Sequence, residues 1–159
     1  MTEVSNMEVM GQVAWLMTQS PLHRTWAMGS LLQWVVPALM HKQYRVYSQN
    51  GKPVAYVSWA WLNQEKESAY VLNPRGLQPV DWKSGDRGWV VDFISPFGAT
   101  KEVIKDLRRN IFKDEVGRAI RVKPGSDEMR IWYLHGADAV EKSRDWVRSP
   151  TVQILQTTN

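Results

Sequence analysis

No cysteine occurs among the 159 residues, so disulfides, thiolate metal sites and a cysteine nucleophile are excluded. No stretch approaches the roughly 18 consecutive apolar residues of a membrane span. The start, Met1-Thr2-Glu3-Val4-Ser5-Asn6, lacks the basic and apolar regions of a secretory signal, and a cytoplasmic location is expected. Neither a P-loop nor a G-x-G-x-x-G stretch is present, so the common phosphate cradles are missing. Internal repeats, linkers and low-complexity segments are absent as well, and one domain over residues 1–159 is expected.

What is present leans basic. Lys and Arg total 20 against 16 Asp and Glu, a formal charge of +4, which favours an acidic partner: nucleic acid, anionic lipid or an acidic carrier protein. Nine tryptophans are many for a chain of this size. They pack a core, or some of them line an apolar ligand pocket.

Periodicity orders the chain. Met7, Met10, Val13, Ala14 and Met17 recur at helical spacing. A second helix is expected to start at Ser20 and run through Trp26, Leu31, Leu32 and Val35, with Pro37 near its end. Tyr44 to Tyr47 and Val54 to Leu62 flank Asn50-Gly51, the strongest short hairpin signal. A short exposed helix is expected over 63–72, a long loop over 73–88 and a central strand over Trp89 to Ile94. From Thr100, Val103, Ile104, Leu107 and Ile111 mark the apolar side of a helix whose other side carries Lys101, Lys105, Arg108 and Arg109. Ala119 to Val122 and Met129 to Leu134 form a strand pair, and a last helix is expected over 137–147. The order describes a mixed α/β (α+β) domain with helices flanking a central sheet, an order shared by acyltransferases of the acetyltransferase type.

Ser20-Pro21-Leu22-His23-Arg24 carries the first chemistry. Serine is a favoured N-cap and proline a favoured first helical residue. His23 would then lie in the positive field of a helix start, which disfavours the imidazolium and suits a general base. Ser20 is expected to accept a backbone N–H from Leu22 or His23, a structural duty rather than a nucleophile's. Asp92 is the second oddity, a carboxylate between Val91 and Phe93 in an apolar strand. Burial there requires a partner, either an arginine such as Arg87 or Arg118, or His23; spacing alone does not choose. His41 suits a helix C-terminus and His135 a strand end, and no H-E-x-x-H spacing supports a metal.

The blocks Val13-Ala14-Trp15-Leu16, Ser20-Pro21-Leu22-His23-Arg24, Pro53-Val54-Ala55-Tyr56, Ser58-Trp59-Ala60, Gly85-Asp86-Arg87, Asp92-Phe93-Ile94-Ser95-Pro96-Phe97-Gly98 and Arg118-Ala119-Ile120-Arg121-Val122 resemble, in order, those of the RTX-toxin-activating lysine acyltransferases. The resemblance covers about residues 7 to 135. It implies a cytoplasmic enzyme with an acetyltransferase-like (GNAT-like) fold, often a homodimer. Such an enzyme moves a fatty acyl chain from acyl carrier protein to internal lysines of an RTX protoxin. It assigns catalysis to His23 and Asp92, with Ser20 in support. The chain departs from the family where Trp34 replaces a usual asparagine, expected about three turns beyond His23 on one helix, and where Val57 replaces a cysteine.

On this reading the donor is a thioester substrate and no cofactor is tightly bound. Lys101, Lys105, Arg108 and Arg109 would meet the carrier protein, and Trp26, Trp34 and Trp89 the acyl chain. His23 acts as base or, in the alternative, takes the acyl group as an acyl-imidazole. Two other classes compete. A CoA-dependent amine N-acyltransferase would need the pyrophosphate loop Arg/Gln-x-x-Gly-x-Gly/Ala, which is missing. A basic module binding nucleic acid explains the charge but not a buried Asp92.

Overall fold

Ser5 starts the first helix: its Oγ accepts the Glu8 N–H at 3.2 Å, as an N-cap should, and α1 covers Asn6–Gln19. The computed structural model describes residues 4–122, 125 and 128–139. After α1 come a π-helical segment at Leu31–Val35, α2 (Val36–His41), β1 (Tyr44–Gln49), β2 (Lys52–Leu62), α3 (Gln64–Leu72), β3 (Arg87–Ile94) and α4 (Thr100–Asp106). A second π-helical segment, Leu107–Ile111, extends α4, and β4 (Val116–Val122) and β5 (Met129–His135) follow. The strands make a mixed sheet in the order β1-β2-β3-β4-β5. β1 and β2 are antiparallel, β3 and β4 parallel, and β4 and β5 antiparallel. The mixed α/β class read from the sequence is what the chain adopts. Among the described residues, no helix is long and apolar enough to cross a membrane.

The chain divides into two compact units. Among the described residues, the first holds the chain up to Trp59 together with Val91–Ile104, and the second holds Ala60–Val90 and the chain from Lys105 on. In the first, α1 buries Val9, Val13, Leu16 and Met17 against Val35, Leu39, Tyr56 and Ile94. Each such side chain removed from water contributes about 1.5–3 kcal/mol. The β1–β2 turn has Asn50 at φ 52° and Gly51 at φ 75°, the two positive angles that a tight two-residue hairpin requires.

The helix expected from Ser20 to Val35 is broken. Residues 21–25 form hydrogen-bonded turns, with Arg24 N–H on Ser20 O at 3.0 Å and Trp26 N–H on His23 O at 2.9 Å. Regular helix resumes only in the π-helical segment. Thr25, Trp26 and Gly29 all have weak helix propensity, and the side-chain bonds of His23 hold the chain in the turn. Trp34 therefore does not share a helix with His23.

In the second unit, Asn63 Oδ1 caps α3 through the Lys66 N–H at 2.8 Å. The expectation of an exposed α3 is corrected at Glu67, Tyr70 and Val71, which are buried. The expected loop over 73–88 contains two short 3₁₀ turns, Pro74–Gly76 and Pro79–Trp82, and the second buries Trp82 completely. Phe112, fully buried, meets Trp61 edge-on at 5.4 Å. A Cβ on Gly88 of β3 would lie 2.4 Å from the Phe112 ring, and one on Gly117 of β4 would lie 2.8 Å from it. Residues 137–138 form a turn, and residues 140–147 of the helix expected over 137–147 lie outside the described residues.

Candidate functional site

Ser20 is delivered by the end of α1, where its backbone N–H reaches Met17 O at 3.2 Å. The following turn folds His23 back over it. Ser20 Oγ then stands 2.7 Å from His23 Nδ1, and His23 Nε2 stands 2.7 Å from Asp92 Oδ1. All three residues are buried. A carboxylate can only accept, so Nε2 carries a proton and, in the neutral ring, Nδ1 accepts from the Ser20 hydroxyl. When the ring is protonated, the same hydroxyl turns acceptor.

The expected capping bond from Ser20 is present but long, with the His23 N–H 3.5 Å from Oγ. The serine's short bond goes to the imidazole instead. Of the two partners open to Asp92, the structure gives it His23. Arg87 and Arg118 belong to Glu67, a fully buried residue of α3: Arg87 Nη1 lies 2.6 Å from Glu67 Oε2, and Arg118 Nε 3.6 Å from Oε1. The Trp89 indole N–H donates to the same Oε1 at 3.0 Å. Burial pushes the Arg118 guanidinium below its ordinary value, and the Glu67 carboxylate opposes that shift.

Asp92 Oδ1 also accepts the Phe93 N–H at 3.0 Å, so one oxygen takes both of its bonds. The other, Oδ2, is buried without a hydrogen-bond partner, as are Tyr56 Oη and Ser58 Oγ of β2. Burial raises the Tyr56 phenol above its ordinary value, helped by the Asp92 carboxylate and by Tyr44, while the nearby Ser58 hydroxyl works against the rise. Neither Tyr56 nor Ser58 was picked out in the sequence as a site residue. The signal was there in two polar side chains two apart in an otherwise apolar strand, hence on one face.

The tryptophans expected at the acyl chain separate. The Trp26 ring lies 4.5 Å from the His23 ring, tilted by 49°, and is 36% exposed. Trp34 is half-buried in the π-helical segment. Trp89 is corrected: it is fully buried, edge-on to Tyr70 at 5.5 Å and under the Arg118 guanidinium, with its N–H on Glu67. That leaves no accessible surface for a ligand. Lys101, Lys105, Arg108 and Arg109 are all exposed, and Arg108 Nε also reaches His135 O at 2.8 Å. His41 falls in the last turn of α2 and His135 at the end of β5.

Histidine held between a carboxylate and a hydroxyl can receive a proton, keep it as a paired cation and return it. The model of the RTX toxin acyltransferase family matches residues 2–134. The chain is 40% identical to the RTX-II toxin-activating lysine-acyltransferase of Actinobacillus pleuropneumoniae over 139 residues, 87% of this chain and 86% of the relative. It is 41% identical to the leukotoxin-activating lysine-acyltransferase of Aggregatibacter actinomycetemcomitans, over 86% of this chain and 80% of the relative. It is also 41% identical to a protein-lysine myristoyltransferase of Escherichia coli, over 82% and 76%.

Proposed function

Because this chain belongs to the RTX toxin acyltransferase family, we propose that it is a lysine acyltransferase that moves a fatty acyl group from acyl carrier protein to internal lysines of an RTX protoxin. The observation that carries the reading is the buried series Ser20–His23–Asp92. A lysine amine has a reference pKa of about 10.4 and is protonated at neutral pH. His23 takes that proton at Nδ1, and Asp92 holds Nε2–H and balances the imidazolium. His23 releases this first proton to solvent; the freed amine attacks the thioester carbonyl, His23 takes the second proton from the attacking nitrogen, and that proton passes to the departing thiolate as the C–S bond breaks. Products are an amide on lysine and a free carrier thiol.

Both ring nitrogens already have partners, which favours the base over the acyl-imidazole. A nucleophilic Nδ1 would have to lose Ser20, whereas a proton can reach Nδ1 through the Ser20 hydroxyl or after it swings aside. The same bond supports a second reading, in which Ser20 Oγ gives its proton to His23 and takes the acyl group as an ester, the carrier thiolate leaving with that proton, before the lysine amine attacks the ester, loses a proton through His23 and restores the hydroxyl.

The four exposed cations, Lys101, Lys105, Arg108 and Arg109, are the docking face for an acidic carrier in this proposal. Trp26, whose ring lies against that of His23, is the tryptophan best disposed to meet the acyl chain. The cytoplasmic setting and the homodimer implied by the sequence belong to the same proposal.

Intact mass of a lysine-containing protoxin fragment tests it, with acyl carrier protein and acyl-CoA offered separately and His23→Ala as control. An amide adduct from the carrier alone, lost in His23→Ala, supports the reading. Transfer from CoA alone moves the assignment to a CoA-dependent N-acyltransferase. Enzyme that gains the acyl mass when no acceptor is present, and fails to do so as Ser20→Ala, selects the serine ester.

A further inference from the structure

The proton route described above uses one oxygen of Asp92 and leaves the other buried with nothing to accept from. Tyr56 belongs to the core cluster that includes Ile94. Asp92 is two residues before Ile94 on β3, the neighbour of β2, so Tyr56 and Asp92 occupy the same face of adjacent strands. Ser58, two residues along β2, shares that face. A buried carboxylate oxygen needs a donor. The Tyr56 phenol has one to give and keeps its proton, because burial and the nearby carboxylate both oppose its ionisation. Its own oxygen can in turn accept from the Ser58 hydroxyl. His23, Asp92, Tyr56 and Tyr44, whose ring lies 6.5 Å from that of Tyr56, are the titratable groups facing one another here.

We propose that Tyr56 and Ser58 are positioning residues for acyl transfer: their hydroxyls, which make no hydrogen bond in the structure, turn to form a relay in which Ser58 donates to Tyr56 Oη and Tyr56 donates to Asp92 Oδ2. The proposal rests on the roles given above to His23 and Asp92. The relay fixes the carboxylate at both oxygens, so that Oδ1 stays aimed at Nε2 while the ring gains and loses its proton. It also divides the negative charge of Asp92 between the phenol and the imidazole. Neither residue touches substrate.

The test uses the full chain as parent, Tyr56→Phe, Ser58→Ala and His23→Ala. It reads steady-state acyl transfer together with the downfield proton resonance of His23 Nε2–H, which His23→Ala identifies by its loss. Tyr56→Phe keeps the ring that fills the core and removes only the donor. Its kcat falls about tenfold, the worth of one hydrogen bond, with KM within about twofold. The resonance moves further downfield, because a carboxylate that has lost one donor accepts more strongly from the other. Ser58→Ala shifts both in the same direction by less. A Tyr56→Phe enzyme with parental kcat and an unmoved resonance overturns the relay, and so does a loss confined to KM or to melting temperature. Should His23→Ala transfer acyl groups at the parental rate, the proposed reaction fails instead, and the resonance, which needs no turnover, still decides the relay.

Discussion

Ser20 and His23 are three residues apart in the chain and 2.7 Å apart at Oγ and Nδ1. The contact exists because the helix expected there gives way to a turn. Ala at 20 should remove the hydroxyl that holds the ring while leaving Asp92 in place. Acyl transfer to a protoxin fragment is expected to fall about 10–100-fold in Ser20→Ala and about 10²–10⁴-fold in His23→Ala, measured as initial rates by mass spectrometry. Equal losses would give the serine a covalent role, and a Ser20→Ala rate equal to the parent's would remove it from the mechanism.

Asp92→Asn tests the carboxylate without changing its size. An amide at 92 can present its NH₂ to Nε2 and so favour the wrong tautomer. A fall in kcat of about 10³–10⁴-fold is expected, with secondary structure by circular dichroism unchanged.

Glu67 answers a different question, since it holds Arg87, Arg118 and Trp89 within the second unit. Glu67→Gln leaves two arginines facing a neutral amide. The expected loss is roughly 3–5 kcal/mol, as for other buried pairs broken on one side, which lowers Tm by about 10 °C for a chain of this length. Calorimetry checks it. A melting temperature within about 2 °C of the parent's would mean that the cluster contributes little.

Alkaline pH should unfold the protein through its tyrosines. Tyr56, and by the same cause Tyr133, keep their protons to higher pH in the fold than the ordinary phenol value of 10.0. The folded chain therefore binds protons that the unfolded chain releases. This contribution to stability is intact below about pH 10 and is lost as pH rises beyond it. The urea midpoint should hold to about pH 10 and then fall, with a shallower fall in Tyr56→Phe. Tyrosinate absorbance rising well before unfolding would contradict the assignment for Tyr56.

Local chemistry made some of this legible from residues alone. Asn50-Gly51 specified its hairpin because only one backbone geometry suits both positions. Asp92 was conspicuous because a carboxylate in an apolar strand must find a partner. The segment after Ser20 was misread because serine followed by proline signals a helix start, whereas here the serine hydroxyl is occupied by a ring from the next turn. Glu67 was invisible for the opposite reason. A glutamate in a polar helix looks like surface, and its partners lie 20 or more residues away, at Arg87, Trp89 and Arg118. Tyr56 and Ser58 carried a signal, but a tyrosine in a strand is so ordinary that its hydroxyl draws no notice.

Phe112 sits in a socket defined by what its walls lack. Neither Gly88 nor Gly117 can gain a side chain while the phenylalanine remains, and the phenylalanine cannot shrink without opening a void beside two strands. Positions 88, 112 and 117 are thus tied as a set: a side chain at either glycine requires a smaller residue at 112. A covariation signal among them would record shared space, and it would be inherited independently of anything the enzyme does to its substrates.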